Sequence, residues 1–118
     1  MKTIHFIVNP IAGKGKAIIS EQYLSKYFRK REFSIAVKYT EYKGHAKLLT
    51  EQSIVQKVDI IVACGGDGTI NEIASCLVLT NIALGIIPIG SGNGLARNLK
   101  ISTNIEKAIG IIKKKIQL

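Results

Sequence analysis

The sequence predicts one α/β domain, a three-layer α/β/α arrangement around a parallel sheet. Two observations carry that expectation. Short apolar runs rich in β-branched residues alternate with segments of helical apolar spacing, and most of the 11 glycines gather directly after the predicted strands. Length is the third: 118 residues, 47% of them apolar, can fill a single core.

The first run, Ile4 to Val8, is a predicted strand that leads into Asn9, and Pro10 ends the apolar stretch. Ala17 to Arg31 is predicted helical, because Ile19, Tyr23 and Tyr27 recur every fourth residue beside Leu24 and Phe28. Ser34 to Tyr39 forms the second strand. Gly44 to Lys57 carries a weaker helical pattern with Ala46, Leu49 and Ser53 inward. Asp59 to Cys64 and Ala83 to Ile87 are the third and fourth strands, expected to be buried on both faces and therefore continuously apolar, as Ile60-Ile61-Val62-Ala63-Cys64 is. Ile70, Ile73, Ala74 and Leu77 follow the helical stripe, as do Ile105, Ala108, Ile109 and Ile112. Thr69-x-x-Glu72 and Thr103-x-x-Glu106 have capping-box spacing. The last helix closes on Lys113-Lys114-Lys115, and Ile116-Gln117-Leu118 read as the first residues of another strand.

Charge narrows the partners. Against 17 Lys+Arg stand 8 Asp+Glu, a net charge of +9, which favours nucleotide phosphates, nucleic acid or acidic membrane surfaces. No known nucleic-acid-binding motif is present, so a nucleic-acid partner is not expected. No stretch approaches the ~20 apolar residues of a membrane span, and the amino-terminal run is too short for a secretory signal. A soluble, cytoplasmic chain with at most peripheral membrane contact is expected. Cys64 and Cys76 have neither Cys-x-x-Cys nor zinc spacing and are expected to be buried, reduced thiols.

Three glycine loops follow strands one, three and four: Asn9-Pro10-Ile11-Ala12-Gly13-Lys14-Gly15-Lys16, Gly65-Gly66-Asp67-Gly68-Thr69, and Pro88-Ile89-Gly90-Ser91-Gly92-Asn93-Gly94. In a parallel sheet all three lie on the carboxyl edge, where open α/β sheets bind ligands. Glycine lets backbone N–H groups approach a phosphate closely, the following helix dipole favours an anion, and Lys14 and Lys16 add positive charge. The loops fit neither the P-loop nor the dinucleotide Gly-x-Gly-x-x-Gly pattern.

Asn9-Pro10…Gly13, then Gly65-Gly66-Asp67-Gly68-Thr69-Ile70-Asn71-Glu72, then Pro88-Ile89-Gly90-Ser91-Gly92-Asn93 followed by Ala96-Arg97 resemble, in order and spacing, the amino-terminal lobe of the diacylglycerol kinase catalytic domain family. That family includes bacterial lipid kinases and sphingosine kinases and shares the Gly-Gly-Asp-Gly signature with NAD kinases. The resemblance implies a Rossmann-like lobe and an ATP site. Asn9, Pro10, Ile11, Ala12 and Gly13 would line the nucleotide and Thr40 would contact it. Gly65, Gly66, Asp67, Gly68, Thr69, Ile70, Asn71 and Glu72 would cradle the phosphates. Ser91 stands where the family usually has Thr, and Gly94 where many relatives carry Asp. It also implies a second, β-rich domain that binds lipid and supplies acidic groups, so residues 1–115 are expected to be the nucleotide-binding domain and 116–118 the entry into that second one.

Asp67 is the candidate catalytic carboxylate, because at a phosphate site it would hold Mg²⁺, accept a hydroxyl proton or anchor loop amides. Glu72 has a simpler use as the capping partner of Thr69. His5 and His45 are expected to be a structural side chain and a helix-start residue. Arg29-Lys30-Arg31 and Lys113-Lys114-Lys115 suit solvated helix ends. The function expected is that of the ATP-binding lobe of a lipid kinase, transferring the γ-phosphoryl group with Mg²⁺ to a lipid hydroxyl such as that of diacylglycerol, the 118 residues alone being inactive. A NAD-kinase-like enzyme and a stand-alone basic nucleotide- or nucleic-acid-binding module are the alternatives.

Overall fold

The computed structural model describes residues 1–10, 19–89 and 95–116, with the backbone alone for 95–104 and 116. Four parallel strands, β1 (Lys2–Val8), β2 (Phe33–Tyr39), β3 (Ile60–Gly65) and β4 (Ala83–Pro88), lie in the order β2-β1-β3-β4. Helices α1 (Glu21–Leu24), α2 (His45–Val55), α3 (Asp67–Leu77) and α4 (Leu95–Ile116) connect and cover them. The chain therefore has the α/β Rossmann-like fold that the alternating pattern predicts.

Strand alternation divides the core into two halves. Ile4, Phe6, Val8, Ile60, Val62, Cys64 and Ile87 face Ile19, Leu24 and Phe28 on one side together with Ile105, Ala108, Ile109 and Ile112 of α4. Phe28 stands edge-on to both Phe6 and Phe33, with ring centroids 5.6 and 5.4 Å away. On the other side Ile7, Ile61 and Ala63 meet Ala46 of α2, Val58, and Ile73 and Leu77 of α3. All four positions of the Ile105 stripe are buried, which is what its spacing requires.

The structure corrects five expectations. The helix expected over Ala17 to Arg31 is, among the described residues, the single turn Glu21–Leu24. Beyond it the bonds tighten to Lys26 N→Tyr23 O and Tyr27 N→Leu24 O, and the Ser25 hydroxyl donates to Glu21 O, competing with the helical ladder. Ile19, Leu24 and Phe28 still point inward, so the periodicity identifies the buried face without the element's length. β4 is not covered on both faces: it is the edge strand, with Ala83, Ile86 and Pro88 exposed, and proline is tolerated there because an edge strand has N–H groups with no ladder partner. Thr103 lies inside the unbroken α4 and starts no helix. That helix continues through Ile116, where a strand was expected; Gln117 and Leu118 lie outside the described residues. Cys76 is half-buried rather than buried, while Cys64 is buried as expected, and both are free thiols. Burial pushes the Cys64 thiol far above its ordinary value.

Candidate active site at the carboxyl edge of the sheet

Strand register brings the predicted site residues together. Val8 pairs with Tyr39 on one side and Cys64 on the other, and Cys64 pairs with Ile87, so these four form one row across the sheet. The next residues, Asn9, Thr40, Gly65 and Pro88, are therefore level at the carboxyl edge. Asn9 N→Cys64 O, Thr40 N→Val8 O and Ile89 N→Gly65 O extend the ladder one step and fix where the turns begin.

Above this row lies a cavity of about 500 Å³ lined by Asn9, Thr40, Tyr42, Lys43, Gly44, Ala46, Gly68, Thr69 and Glu72. Asn9 Nδ2 donates to Thr69 Oγ1 at 3.2 Å, tying the end of β1 to the first turn of α3. Gly65 packs closely on α3: a Cβ there would lie 3.0 Å from Thr69 Cβ, so Thr69 would have to shift by a few tenths of an ångström. At Gly66 and Gly68 a Cβ would meet nothing within 4 Å among the described residues.

The start of α3 has the character of an anion site. Gly66 is its N-cap in extended conformation, and no side chain among the described residues caps the helix. Its first amides are thus left for water or a ligand at the positive end of the helix dipole. Asp67 is exposed in the first turn, and its carboxylate makes no hydrogen bond among the described residues. Ile70 packs against the second core half and Asn71 is exposed, its carbonyl accepting from Ser75 Oγ; neither lines the cavity.

The Thr69–Glu72 capping box is not formed. Thr69 is the third residue of α3, accepts from Asn9, and leaves Glu72 to another helix: Glu72 Oε1 accepts from Lys47 N of α2 at 2.9 Å. α2 begins after Gly44, whose φ of 92° is left-handed and suits glycine. His45 is the first residue of α2, as expected; its Nδ1 accepts from Glu41 N at 2.9 Å and its ring stacks on Tyr42 at 4.3 Å. Sequence reading missed Tyr42 and Lys43, although Thr40 followed by a turn glycine at 44 was the available signal.

His5 is away from this edge and structural. Its Nδ1 lies 2.7 Å from Ser53 Oγ in the core beneath α2, and burial, with Lys38 second, holds its pKa below the ordinary value. Ile11, Ala12, Gly13, Lys14, Lys16 and the loop of Gly90, Ser91, Gly92, Asn93 and Gly94 lie outside the described residues. Among the described residues no three His, Cys, Asp or Glu side chains gather as a metal site. No helix among them is long and apolar enough to cross a membrane.

Comparison with known proteins places this geometry in context. The sequence model of the diacylglycerol kinase catalytic domain matches residues 3–118. A diacylglycerol kinase of Staphylococcus saprophyticus is 33% identical over 94% of the chain, which spans 37% of that protein. The mitochondrial acylglycerol kinase of Xenopus laevis is 32% identical over 96% of the chain, which spans 29% of it. Among solved structures, that of a diacylglycerol kinase from Bacillus anthracis superposes with a TM-score of 0.65 at 32% identity, covering 97% of this chain and 42% of that one.

Proposed function

The chain belongs to the diacylglycerol kinase catalytic domain family, and on that premise we propose that it is the ATP-binding lobe of a lipid kinase, with the nucleotide phosphates over the start of α3. The observation that carries this reading is the uncapped α3 N-terminus beside the cavity between Asn9, Thr40 and Thr69. In this reading Asn9, Pro10, Ile11, Ala12, Gly13 and Thr40 are the residues assigned to the nucleotide, Gly65 to Thr69 those assigned to its phosphates, and Ser91 is assigned to the same site by the family resemblance. Ile70 and Asn71 belong to the same segment as helix scaffold.

Phosphoryl transfer depends mainly on positioning and charge neutralisation, which backbone amides and lysines supply without covalent chemistry. Mg²⁺ ordinarily binds through one or two carboxylates plus substrate phosphates, and the exposed Asp67 is the side chain that would hold it here. When bound, that ion would neutralise charge developing across the transferred phosphate. The acceptor is a lipid hydroxyl of the diacylglycerol type, met at a membrane surface to which the net charge of +9 attracts the protein. Asp67 cannot both hold metal and accept the hydroxyl proton, so we assign further acidic groups to other parts of the enzyme.

Titrating the folded chain with ATP and ADP, with and without Mg²⁺ and at low salt, tests the reading. Weak saturable binding, in the millimolar range or tighter (about 4 kcal/mol or more), is expected. Absence of binding by either nucleotide to folded protein overturns it.

A further inference from the structure

An acidic residue in a phosphate-binding loop can hold a cation or hold the protein. We infer that Glu72 does the second: it is a positioning residue that fixes the turn between β2 and α2 against α3, and so sets the width of the cavity. The inference rests on the nucleotide reading only for its effect on affinity.

Lys47 is the third residue after the cap Gly44, and an amide at that position has no acceptor within its own helix. Gly44 has no side chain with which to satisfy it, and Glu72 Oε1 does so from the neighbouring helix at 2.9 Å. The bond is charge-assisted, and the carboxylate sits at the positive end of the α2 dipole. Glu72 itself lines the cavity, together with Thr40, Tyr42 and Lys43 from the turn before α2 and Gly68 and Thr69 from α3. The Glu41 N→His45 Nδ1 bond and the His45–Tyr42 stack hold the same turn from within. Among the described residues, the Lys47 N→Glu72 Oε1 bond is thus the polar tie that joins α2 to α3 beside the cavity, and cutting it loosens the turn against α3.

Glu72 is badly placed to act with Asp67. Five positions apart on α3, at about 100° per residue, the two side chains leave the axis about 140° apart and cannot converge on one ion.

Glu72→Ala and Glu72→Gln in the 118-residue chain test the proposal, by amide hydrogen exchange at Lys47 and by ATP titration with and without Mg²⁺. E72A is expected to speed Lys47 exchange and to weaken ATP roughly tenfold, the loss typical of one hydrogen bond to a charged acceptor. E72Q keeps the Oε1 acceptor, so it is expected to protect Lys47 and to stay within about threefold of wild type. Unchanged Lys47 exchange in E72A overturns the proposal. So does an E72Q protein that protects Lys47 yet loses ATP affinity as fully as E72A and only with Mg²⁺, since the charge would then be serving a cation. If E72A does not fold, E72Q alone decides by the same two readouts. A wild type that binds no nucleotide, with Lys47 exchange still accelerated in E72A, would refute the ATP reading and leave the clamp standing.

Discussion

The two edges of the sheet both hold space, yet only one resembles a site. At the amino edge a cavity of about 630 Å³ is lined by Lys2, Lys57, Asp59, Thr80 and Asn81 among others, larger than the one beside Asn9 and Thr40 at about 500 Å³. The difference lies in the backbone. Amino-edge turns satisfy one another: Asp59 N→Thr3 O, Ala83 N→Asp59 O and Lys2 N→Glu32 O close the strand starts, and Asp59 Oδ2 accepts from Thr3 N. Even the left-handed residue that ends α2 is a lysine, Lys57 at φ 57°, with its N–H donating to Ile54 O. At the carboxyl edge α3 starts on a glycine with no side-chain cap among the described residues, which leaves its first amides for water or a ligand. Volume does not mark the site in this fold; unsatisfied donors do.

The largest effect should come from breaking that difference at Gly66. Gly66→Asp places a carboxylate at the cap of α3, where it would satisfy the free amides and repel phosphate at close range. The fold should survive, because φ at Gly66 is −86° and a Cβ there meets nothing within 4 Å. ATP affinity is expected to fall by roughly a hundredfold or more, from several kcal/mol of close like-charge repulsion added to the lost donors. Circular dichroism would check the fold and calorimetric titration the binding. Equal affinity in folded wild type and variant would place the nucleotide elsewhere.

How legible this edge was depends on the kind of interaction. That the strand ends share one edge follows from the alternation of strands and helices, and the stripes at Ile73 and Leu77 and at Ile105 to Ile112 are periodic signals that local sequence contains. The partner of Glu72 was not legible. Sequence spacing offered Thr69, three residues away, whereas the bond goes to Lys47, 25 residues away on a different helix, and only the packing of α2 beside α3 creates that choice. The length of α1 was misread for a different reason: the Ser25 hydroxyl bonds back to Glu21 O at the end of the turn while the apolar face stays periodic. Polar pairs across elements are set by tertiary geometry; apolar faces are set by local repeat.

His5 lies between the edges and sharpens the comparison, because it ties the sheet to α2 without touching the cavity. The fold binds it neutral, against Ser53 Oγ, and both burial and Lys38 oppose its protonation. With the folded pKa below the ordinary 6.5, the unfolded chain binds more protons as pH falls, so this contribution is fully present above 6.5 and is lost as pH drops toward the folded value. Urea unfolding at a series of pH values should show wild-type stability declining below 6.5, and His5→Asn, less stable at neutral pH, should lack that part of the slope. Parallel slopes in the two proteins would mean that the histidine does not titrate with unfolding.

The smallest effect belongs to the amino edge. Asp59 Oδ2 accepts from Thr3 N at 2.8 Å while its own N–H donates to Thr3 O at 3.0 Å, so Asp59 joins the starts of β1 and β3 twice, once through its side chain. Asp59→Ala removes the side-chain bond and keeps the backbone one. Because the pair is exposed, the Thr3 amide can turn to water, and the loss should be about 0.5–1.5 kcal/mol rather than the larger cost of an orphaned buried donor. The same substitution is at the edge farthest from Asn9 and Thr69, so ATP affinity should be unchanged. A chemical-denaturation midpoint that falls while calorimetric titration stays constant is the expected pair of results. A drop in affinity with little change in stability would show that the amino edge communicates with the nucleotide, and the division of labour between the two edges would fail.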